Sequence, residues 1–416
     1  MLKYWLWLTS LPQVGLRDQT LLLQNFGGAD EIYFAASDAA LQIEGLSPAA
    51  REALKDKSLE RAEKLLAECY EKNIQILTWQ DAAYPNRLRS IAQPPAVLYC
   101  RGRMLPFDTQ PVVTVVGTRS ASAYGLRCAK RLGYQIGRCG GTVVSGMARG
   151  IDAMAIEGAL SAGAPVAGVL GCGVDVVYPR ENGALFRDVA QWGCLLSEYP
   201  PGTPPRPGNF PVRNRILSGL SLGVLVVEAP MRSGALITAS HALEQGKDVF
   251  AVPGGIDNPA SAGTNQLIRD GAILATNGWD VMREYTGLFP GQVRYQPGGQ
   301  NLDLTPEQLR SAAPEQPAKP APEEKSGRDA PPLEEKAIDN GENKPYIELD
   351  TILPQVEGDE KALVLQLADK PQTADELIEK TQLPAARVMA SLTLLEVQGI
   401  VQCGRDKRFS LVSTRQ

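Results

Sequence analysis

The sequence predicts an α/β protein whose main domain is a doubly wound, mostly parallel sheet. From about residue 111, short apolar segments rich in β-branched residues alternate with stretches of helix length. Many of the apolar segments end in Gly or Pro, as PVVTVVG and KDVFAVPG do. This alternation is typical of a parallel sheet covered by helices on both faces. Because such folds bind ligands at the carboxyl ends of their strands, functional residues are expected there.

Length and composition indicate a globular protein of two to four domains. The chain has 416 residues, of which 44% are hydrophobic. In MLKYWLWLTSLPQ the apolar run is brief and ends before Pro12, so we expect no membrane span and a cytoplasmic location. The seven cysteines form no CxxC pattern, and there is one histidine. This pattern predicts neither disulfides nor a metal site, and nothing in the sequence suggests a cofactor.

The charge of the chain is unevenly distributed. Residues 314–342 contain eight acidic and four basic residues, so they contribute −4 of the net charge of −5. The net charge therefore does not exclude a local basic surface elsewhere. This acidic, Pro-rich stretch has too few apolar residues to form a core. We predict a helical domain at 1–75, the sheet domain at 76–290, a disordered acidic linker at 291–355 and a winged-helix domain at 356–416.

The two flanking domains show patterns of their own. Apolar residues at helical spacing fill the first 75 residues, and the turns LPQVGL and LQIEGL lie about thirty residues apart. They resemble paired helix-hairpin-helix (SAM-like) units, which can bind a phosphate at a helix start; a simple packing domain is the alternative. The last sixty residues predict three helices and a hairpin, the layout of a winged helix. Its third helix has few basic residues, so protein contact is favoured there over duplex DNA binding.

Residues suited to anion binding follow the first two strands of the sheet domain. After VVTVV come Gly117, Thr118, Arg119 and Ser120, and after TVVS comes the stretch that contains Gly146 and Arg149. Glycine allows the backbone to approach an anion, the helix start offers free N–H groups, and arginine adds charge. Each junction alone could be an ordinary strand-to-helix turn. Neither matches a dinucleotide or Walker pattern.

A third such stretch is NFPVRNRILSGLS, with Phe210, Arg213, Asn214 and Arg215. If a helix begins near Val212, both arginines project from its first turn, where positive charge opposes the helix dipole. Such a placement is explained if an external anion completes the site, although pairing with distant carboxylates is an alternative. The candidate binding residues are Gly117, Thr118, Arg119, Ser120, Ser145, Gly146, Arg149, Phe210, Arg213, Asn214, Arg215, Ser233, Gly234 and Gly254.

Catalytic residues are harder to find. His241, the only histidine, lies within a helical stretch away from the strand ends, so a Ser-His-Asp triad has no base. Asp152 and Glu228 are possible acids or bases. The alternative structural interpretation is favoured for both: Asp152 capping a turn or pairing with Arg149, and Glu228 holding a loop or an arginine of FPVRNR. The sequence thus favours a binding site over an active site.

In order along the chain, the motifs resemble those of the DNA-processing protein A (DprA/Smf) family. They are GTRSASAYG, VVSGMARGIDAMA, LLSEYPPG, FPVRNRILSGLS, VVEAPMRSGALITA and VFAVPGGI. The resemblance implies a Rossmann-like domain that binds single-stranded DNA, a homodimer, and a role in natural transformation. In that role the family protects incoming strands and loads the RecA recombinase onto them past single-strand-binding protein. Its members are not known as enzymes.

Position by position, the match has three departures. Thr118 stands where the family usually has Ser, Met147 where it has Leu, and Ile156 where it has His. The resemblance assigns Arg119, Arg213 and Arg215 to the phosphates of one DNA strand. Phe210, Tyr124 and Tyr199 are the candidate aromatic platforms for bases.

Two other functions compete with DNA binding. One is a nucleotide phosphoribohydrolase, whose compact PGGxGT motif is here split by IDNPASA and lacks the following glutamate. The other is an adaptor that recruits partners through its tail.

Overall fold

The computed structural model describes residues 1–35 and 43–296 and, with short gaps, 358–411. The chain divides into two compact units, Met1–Lys319 and Pro320–Gln416. The predicted linker at 291–355 lies outside the described residues except for its first six. Its disorder and the four domain boundaries therefore remain predictions.

The first unit contains a nine-stranded sheet. Its strands are β1 (Gln75–Thr78), β2 (Val97–Gly102), β3 (Val112–Val116), β4 (Thr142–Ser145), β5 (Val166–Val169), β6 (Cys194–Ser197), β7 (Gly223–Val226), β8 (Asp248–Ala251) and β9 (Ile273–Leu274). The spatial order is β1-β2-β6-β5-β4-β3-β7-β8-β9. From β6 to β9 every pairing is parallel, whereas β2 runs antiparallel to both of its neighbours. The predicted mostly parallel, doubly wound fold is confirmed.

Helices connect these strands and cover both faces. They are α6 (Asn86–Arg89), α7 (Ala123–Arg138), α8 (Ile151–Ser161), α9 (Gly183–Trp192), α10 (Asn209–Leu220), α11 (Gly234–Glu244), α12 (Ala262–Arg269) and α13 (Gly278–Met282). Strand β3 shows why both faces need cover. Val113 and Val115 enter the apolar core that includes α7 and α8, while Val112 and Val116 enter the core that includes α10 and α11.

The order in which successive strands are added to the sheet changes side at β3. From β3 the strands proceed through β4, β5 and β6 to one side, and β7 then forms on the other side of β3. Connections after β3 and β7 consequently leave on opposite faces, which opens a crevice at the carboxyl ends of these two strands. In doubly wound folds this is the usual place for a ligand.

The N-terminal region is helical, as predicted. It consists of α1 (Leu2–Ser10), α2 (Leu16–Phe26), α3 (Ala29–Phe34), α4 (Pro48–Ala53) and α5 (Glu60–Glu71). The first predicted hairpin turn joins α1 to α2, and part of the second falls within residues 36–42, outside the described residues. Asp18 connects α2 to the start of α4, because its carboxylate accepts hydrogen bonds from Ser47 N at 3.1 Å and Ser47 Oγ at 2.9 Å. In the described parts of the chain, no helix is long and apolar enough to span a membrane.

The described part of the second unit has winged-helix elements. They are α14 (Gly358–Leu367), β10 (Gln372–Thr373), α15 (Ala374–Thr381), β11 (Val401–Cys403) and β12 (Arg408–Leu411). Strands β11 and β12 form the predicted antiparallel hairpin, and β10 pairs with the far side of β12. Leu363, Leu377 and Val401 belong to its small apolar core.

Two glycines set the close packing of α7 against α8. A methyl group at Gly158 would overlap the carbonyl oxygen of Lys130, and one at Gly133 would overlap that of Ala155. In both cases the obstacle is backbone, which cannot move aside as a flexible side chain can. The two helices therefore approach this closely only because neither residue has a β-carbon.

We expect Gly158→Ala to destabilise the protein by about 1–3 kcal/mol, since overpacking outweighs the better helix propensity of alanine. Urea unfolding followed by circular dichroism measures the change. Gly183→Ala, at the start of α9, is the matched control, because its new methyl group would come no closer than 3.8 Å to Val177 Cγ1. Equal stability of the two variants would contradict this account of the packing.

Candidate nucleic-acid interface

A pocket of about 350 Å³ lies at the crevice between β3 and β7. The turn after β3 forms one wall, the start of α10 the second, and the loop from β7 into α11 the third. A second pocket of about 260 Å³ shares Arg119, Ser120, Ala148 and Phe210 with the first. The two pockets are thus neighbouring parts of one surface at the carboxyl edge of the sheet.

The turn after β3 is fixed by contacts on both sides. Thr118 N donates to Glu228 O, just after β7, at 2.7 Å, and Ile151 N donates to Thr118 O at 3.3 Å. Gly117 has no room for a side chain, since a β-carbon would lie 2.8 Å from Glu228 O. Thr118 keeps the hydroxyl function, because its Oγ1 accepts from Ser120 N at 3.3 Å. This rigid turn presents Arg119 and Ser120 to solvent.

Arg119 is an exposed guanidinium beside an aromatic ring. Its Cζ lies 5.2 Å from the centroid of the Phe210 ring, within cation–π distance. Within the described residues, no carboxylate forms an ion pair with it. Its charge is therefore available to an external anion.

Arg213 is buried beneath this surface. Its Nη1 donates to Gly146 O at 3.0 Å and to Val169 O, and its Nε has no partner among the described residues. Burial lowers the pKa of Arg213 to about 10, which still leaves it charged at neutral pH. Burial also raises the pKa of Asp152, an effect that Arg213 opposes by attraction. Gly146 lies against both, because a β-carbon there would be 2.6 Å from Asp152 Oδ2 and 2.7 Å from Arg213 Nη2.

Arg215 already has an anion within the protein. Its Nη1 and Nη2 donate to the two carboxylate oxygens of Glu198 at 2.9 and 2.6 Å, and both side chains are less than 10% exposed. Its Nε donates to Gln93 O. The expectation that Arg215 faces a DNA phosphate is not supported by this geometry, and the alternative of a distant carboxylate partner holds. The expected helix start near Val212 is also wrong.

Helix α10 begins at Asn209, so Arg213 and Arg215 lie in its second turn and not in its first. The dipole argument for an external anion therefore does not apply to them. Asn214 has a structural contact as well, since its Nδ2 donates to Gly234 O at 3.1 Å and ties α10 to α11. Its side chain also lines the larger pocket.

Four other candidates lie away from the pocket lining. Ser145 is fully buried and donates to Val115 O at 2.6 Å. Gly254 exchanges two hydrogen bonds with the amide side chain of Asn265, both at 3.1 Å. Tyr124 donates from its hydroxyl to Pro253 O. Neither Tyr124 nor Tyr199 lines the two pockets, so neither is placed to serve as an aromatic platform there.

The two carboxylates considered for catalysis have structural partners. Glu228 accepts from Ser122 N at 2.8 Å and Ser122 Oγ at 2.6 Å, and so it fixes the start of α7, which Ser122 caps. It thus holds a loop and not an arginine. Asp152 accepts from Ala148 N at 3.4 Å, while Arg149 pairs with Glu181, so the expected Asp152–Arg149 pair is not formed. Arg149 itself lines the smaller pocket.

The sequence interpretation missed two residues of this surface. Arg232 is exposed and lines the larger pocket directly before Ser233, whose Oγ caps α11 by accepting from Ala235 N at 3.3 Å. An arginine beside a helix cap was the available signal. Tyr178 lies in the smaller pocket with its ring centroid 5.5 Å from that of Phe210. No local signal marks Tyr178, because the loop after β5 brings it there.

The lining of the larger pocket is positive overall. Its charged residues are Arg119, Arg213, Arg232 and Asp152, which give three positive charges and one negative charge. Together with the positive end of the α11 dipole, this favours an anionic ligand. His241 lies on α11 against Glu244 and lines neither pocket.

Comparison with known proteins agrees with this architecture. Residues 75–286 match the model of the DNA recombination-mediator protein A family, and residues 348–406 match the DprA winged helix domain. The chain belongs to the DprA/Smf family. This confirms the resemblance seen in the sequence motifs, and the matched residues 75–286 include all those that line the two pockets.

Curated DprA/Smf relatives and a solved structure support the same assignment. Protein Smf of Synechocystis sp. is 40% identical over 280 residues, covering 66% of this chain and 70% of the relative. DNA processing protein DprA of Bacillus subtilis is 42% identical over 221 residues, covering 53% and 74%. The X-ray structure of DprA from Streptococcus pneumoniae is 32% identical with a TM-score of 0.60, covering 71% of this chain and 99% of that one.

We expect Glu198→Ala to cost about 3–5 kcal/mol of unfolding free energy, because it leaves the buried charge of Arg215 without its partner. Urea unfolding measures this loss. Glu244→Ala, which removes an exposed partner of His241, should change stability by less than about 1 kcal/mol. Wild-type stability in Glu198→Ala would contradict a structural role for the Arg215 pair.

Proposed function

We propose that this protein binds single-stranded DNA at the pocket between β3 and β7. One observation carries the proposal: the exposed guanidinium of Arg119 lies over the ring of Phe210 at the wall shared by both pockets. Single strands are bound where positive charge tracks the backbone and aromatic rings stack on bases. Here both elements are adjacent, and they lie where a doubly wound sheet binds its ligands.

The phosphate contacts come from exposed residues and not from the buried arginines. Arg119 and Arg232 supply charge from opposite walls of the larger pocket. Gly117, Thr118, Ser120, Ser233 and Gly234 form the neighbouring turns and the helix start. The hydroxyl groups of Ser120 and Ser233 and the backbone N–H of Gly234 suit a phosphate there. Arg213 contributes positive potential from below. Arg149 is a further candidate at the smaller pocket, once DNA competes with Glu181.

Phe210 and Tyr178 form the platform for bases. Their rings are tilted by 37° and too close together to admit a base between them. A base therefore stacks on their outer faces. Stacking of this kind depends little on sequence, because every base has a π face.

Membership of the DprA/Smf family suggests a role for the bound strand. We propose that the protein acts in natural transformation and recombination, where it protects incoming strands and loads RecA onto them past single-strand-binding protein. We further propose that it works in the cytoplasm as a homodimer, joined through the sheet domain. A dimer brings two pockets to one strand, which doubles the number of phosphate contacts. The role is that of a binding protein and not of an enzyme.

The double variant Arg119→Ala/Arg232→Ala should weaken binding to oligo-dT by about tenfold or more, because charge-assisted hydrogen bonds are lost. Its slope of log K against log salt should fall by about 1.4, at roughly 0.7 per phosphate contact. Fluorescence anisotropy of labelled oligo-dT over a salt series, beside a matched duplex, measures both. The control is Arg269→Ala, which removes an exposed arginine at the opposite edge of the sheet. Equal binding by both variants would rule out the pocket.

Phe210→Leu should weaken oligo-dT binding by about 1–3 kcal/mol while leaving the salt slope unchanged, because stacking is lost and phosphate contacts remain. Leucine keeps apolar contact with Gly171, against which the ring packs. The same anisotropy series separates affinity from slope. A reduced slope with unchanged affinity at low salt would contradict the assignment of Phe210 to bases.

RecA loading is tested separately from binding. On a strand coated with single-strand-binding protein, the wild-type protein should speed RecA filament formation, and the double arginine variant should not. Tight DNA binding without any effect on RecA would leave a protective role and remove the loading role. Hydrolysis of nucleoside monophosphates by the wild-type protein would instead favour the phosphoribohydrolase alternative.

A further inference from the structure

Lys72, directly after α5, connects the helical N-terminal region to the sheet. Its Nζ donates to Glu68 Oε1 on the same helix and to Asp175 Oδ2 in the loop after β5, both at 2.6 Å. These two bonds raise the pKa of Lys72, so the ammonium stays charged over the whole physiological range. Asp175 is distant from Lys72 in sequence and lies outside the turns proposed to bind phosphate.

Asp175 in turn joins two loops of the sheet. Its second oxygen, Oδ1, accepts from Gly202 N in the loop after β6 at 2.8 Å. Gly173 N donates to Thr203 O at 3.0 Å and reinforces the connection. Burial raises the pKa of Asp175, but the bonds from Lys72 and Gly202 outweigh it, and the net shift is downward. The carboxylate is therefore ionised at neutral pH and holds both loops at once.

These two loops carry the aromatic platform. The loop after β5 runs from Leu170 to Tyr178, and the loop after β6 leads into α10, where Phe210 lies in the first turn. The loops also meet at the platform itself. Asn209 Nδ2 donates to Gly171 O at 2.9 Å, and a β-carbon on Gly171 would lie 2.9 Å from Phe210 Cδ1. A shift of either loop would therefore change the distance or tilt between the two rings.

We infer that Lys72 is a positioning residue for the single-stranded DNA site: through Asp175 it holds the two loops so that Tyr178 and Phe210 form one stacking surface. The inference rests on the proposed function, and it gives the helical N-terminal region a part in DNA binding without any contact to DNA. The positioning role of Lys72 affects stacking of a base and not binding of a phosphate, because Asp175 does not connect these loops to the turn after β3.

The Lys72–Asp175 bridge suits a positioning role better than a stabilising one. The side chains are 40% and 18% exposed, and ion pairs with this much solvent contact contribute little to global stability. Stacking, in contrast, depends on where the rings lie, and a site whose supporting contacts are loosened loses affinity. Loss of the bridge should thus appear in DNA binding before it appears in unfolding.

Three variants of the full chain test this inference. Lys72→Met removes the bridge from one side and Asp175→Asn from the other. The asparagine at position 175 still offers an oxygen that can accept from Gly202 N. Lys64→Met is the matched control, because Lys64 lies on α5 and, among the described residues, pairs with Glu60 alone, at 2.6 Å. Oligo-dT affinity is measured by anisotropy, and stacking by the fluorescence of 2-aminopurine within the oligonucleotide.

Lys72→Met and Asp175→Asn should each weaken binding by about fivefold, a partial loss of one stacking contact, with an unchanged salt slope. The expected sign for Asp175→Asn is decisive. Removing a negative charge would strengthen DNA binding if long-range electrostatics alone acted, whereas loss of positioning weakens it. The double variant Lys72→Met/Asp175→Asn should bind oligo-dT as tightly as either single variant. In a Phe210→Leu background, Lys72→Met or Asp175→Asn should weaken binding by less than fivefold.

The outcomes separate the two proposals. If the wild-type protein does not bind oligo-dT, the proposed function fails and this inference with it. If the wild-type protein binds and Asp175→Asn binds as tightly or more tightly, only the positioning role is overturned. Equal weakening in Lys64→Met and Lys72→Met would also overturn it, since the effect would then be one of charge. The positioning role is supported if both Lys72→Met and Asp175→Asn bind oligo-dT more weakly and show less stacking of 2-aminopurine, while their unfolding free energies equal that of the wild-type protein.

Discussion

Two buried arginines on α10 fasten this helix across the ends of three neighbouring parallel strands, and the candidate site depends on that attachment. Arg213 donates to Gly146 O after β4 and to Val169 O at the end of β5. Arg215 pairs with Glu198 directly after β6. Carbonyl oxygens at strand ends have no further sheet partner, so a buried guanidinium is well suited to satisfy them. The cost is a desolvated cation, which the lowered pKa of Arg213 records.

This attachment divides the basic residues of the site into two classes. The buried arginines fix the start of α10 and, with it, Phe210 at the wall between the two pockets. The exposed ones, Arg119 and Arg232, have no such structural partner within the described residues and lie on opposite sides of the crevice. Buried arginines that fix the fold and exposed arginines without an ion-pair partner thus lie in the same small region. The loops beneath the aromatic rings add a third layer, in which Asp175 joins them to Lys72.

Much of the fold follows from local pattern. Short β-branched segments such as VVTVV can form buried strands, and the helix-length stretches between them require a parallel sheet. The turns at Gly117 and Thr118 and at Ser233 and Gly234 could be selected as candidates because glycine and hydroxyl residues follow a strand end there. Arg215 shows the limit of this reasoning. Its partner Glu198 lies 17 residues earlier in the chain, and no spacing rule connects an arginine in a helix to a carboxylate after another strand.

The sequence by itself determined the doubly wound sheet, the edge of the sheet at which a ligand is expected and the family of the protein, because each depends on short-range periodicity or on contiguous motifs. Only the tertiary structure decided which arginines are free, that Tyr178 and not Tyr124 or Tyr199 accompanies Phe210, and that Lys72 reaches the loop after β5. These facts depend on burial and on contacts between distant segments. Two arginines separated by one residue look alike in a sequence, yet the structure gives Arg215 a buried carboxylate and Arg213 two backbone carbonyl groups as partners.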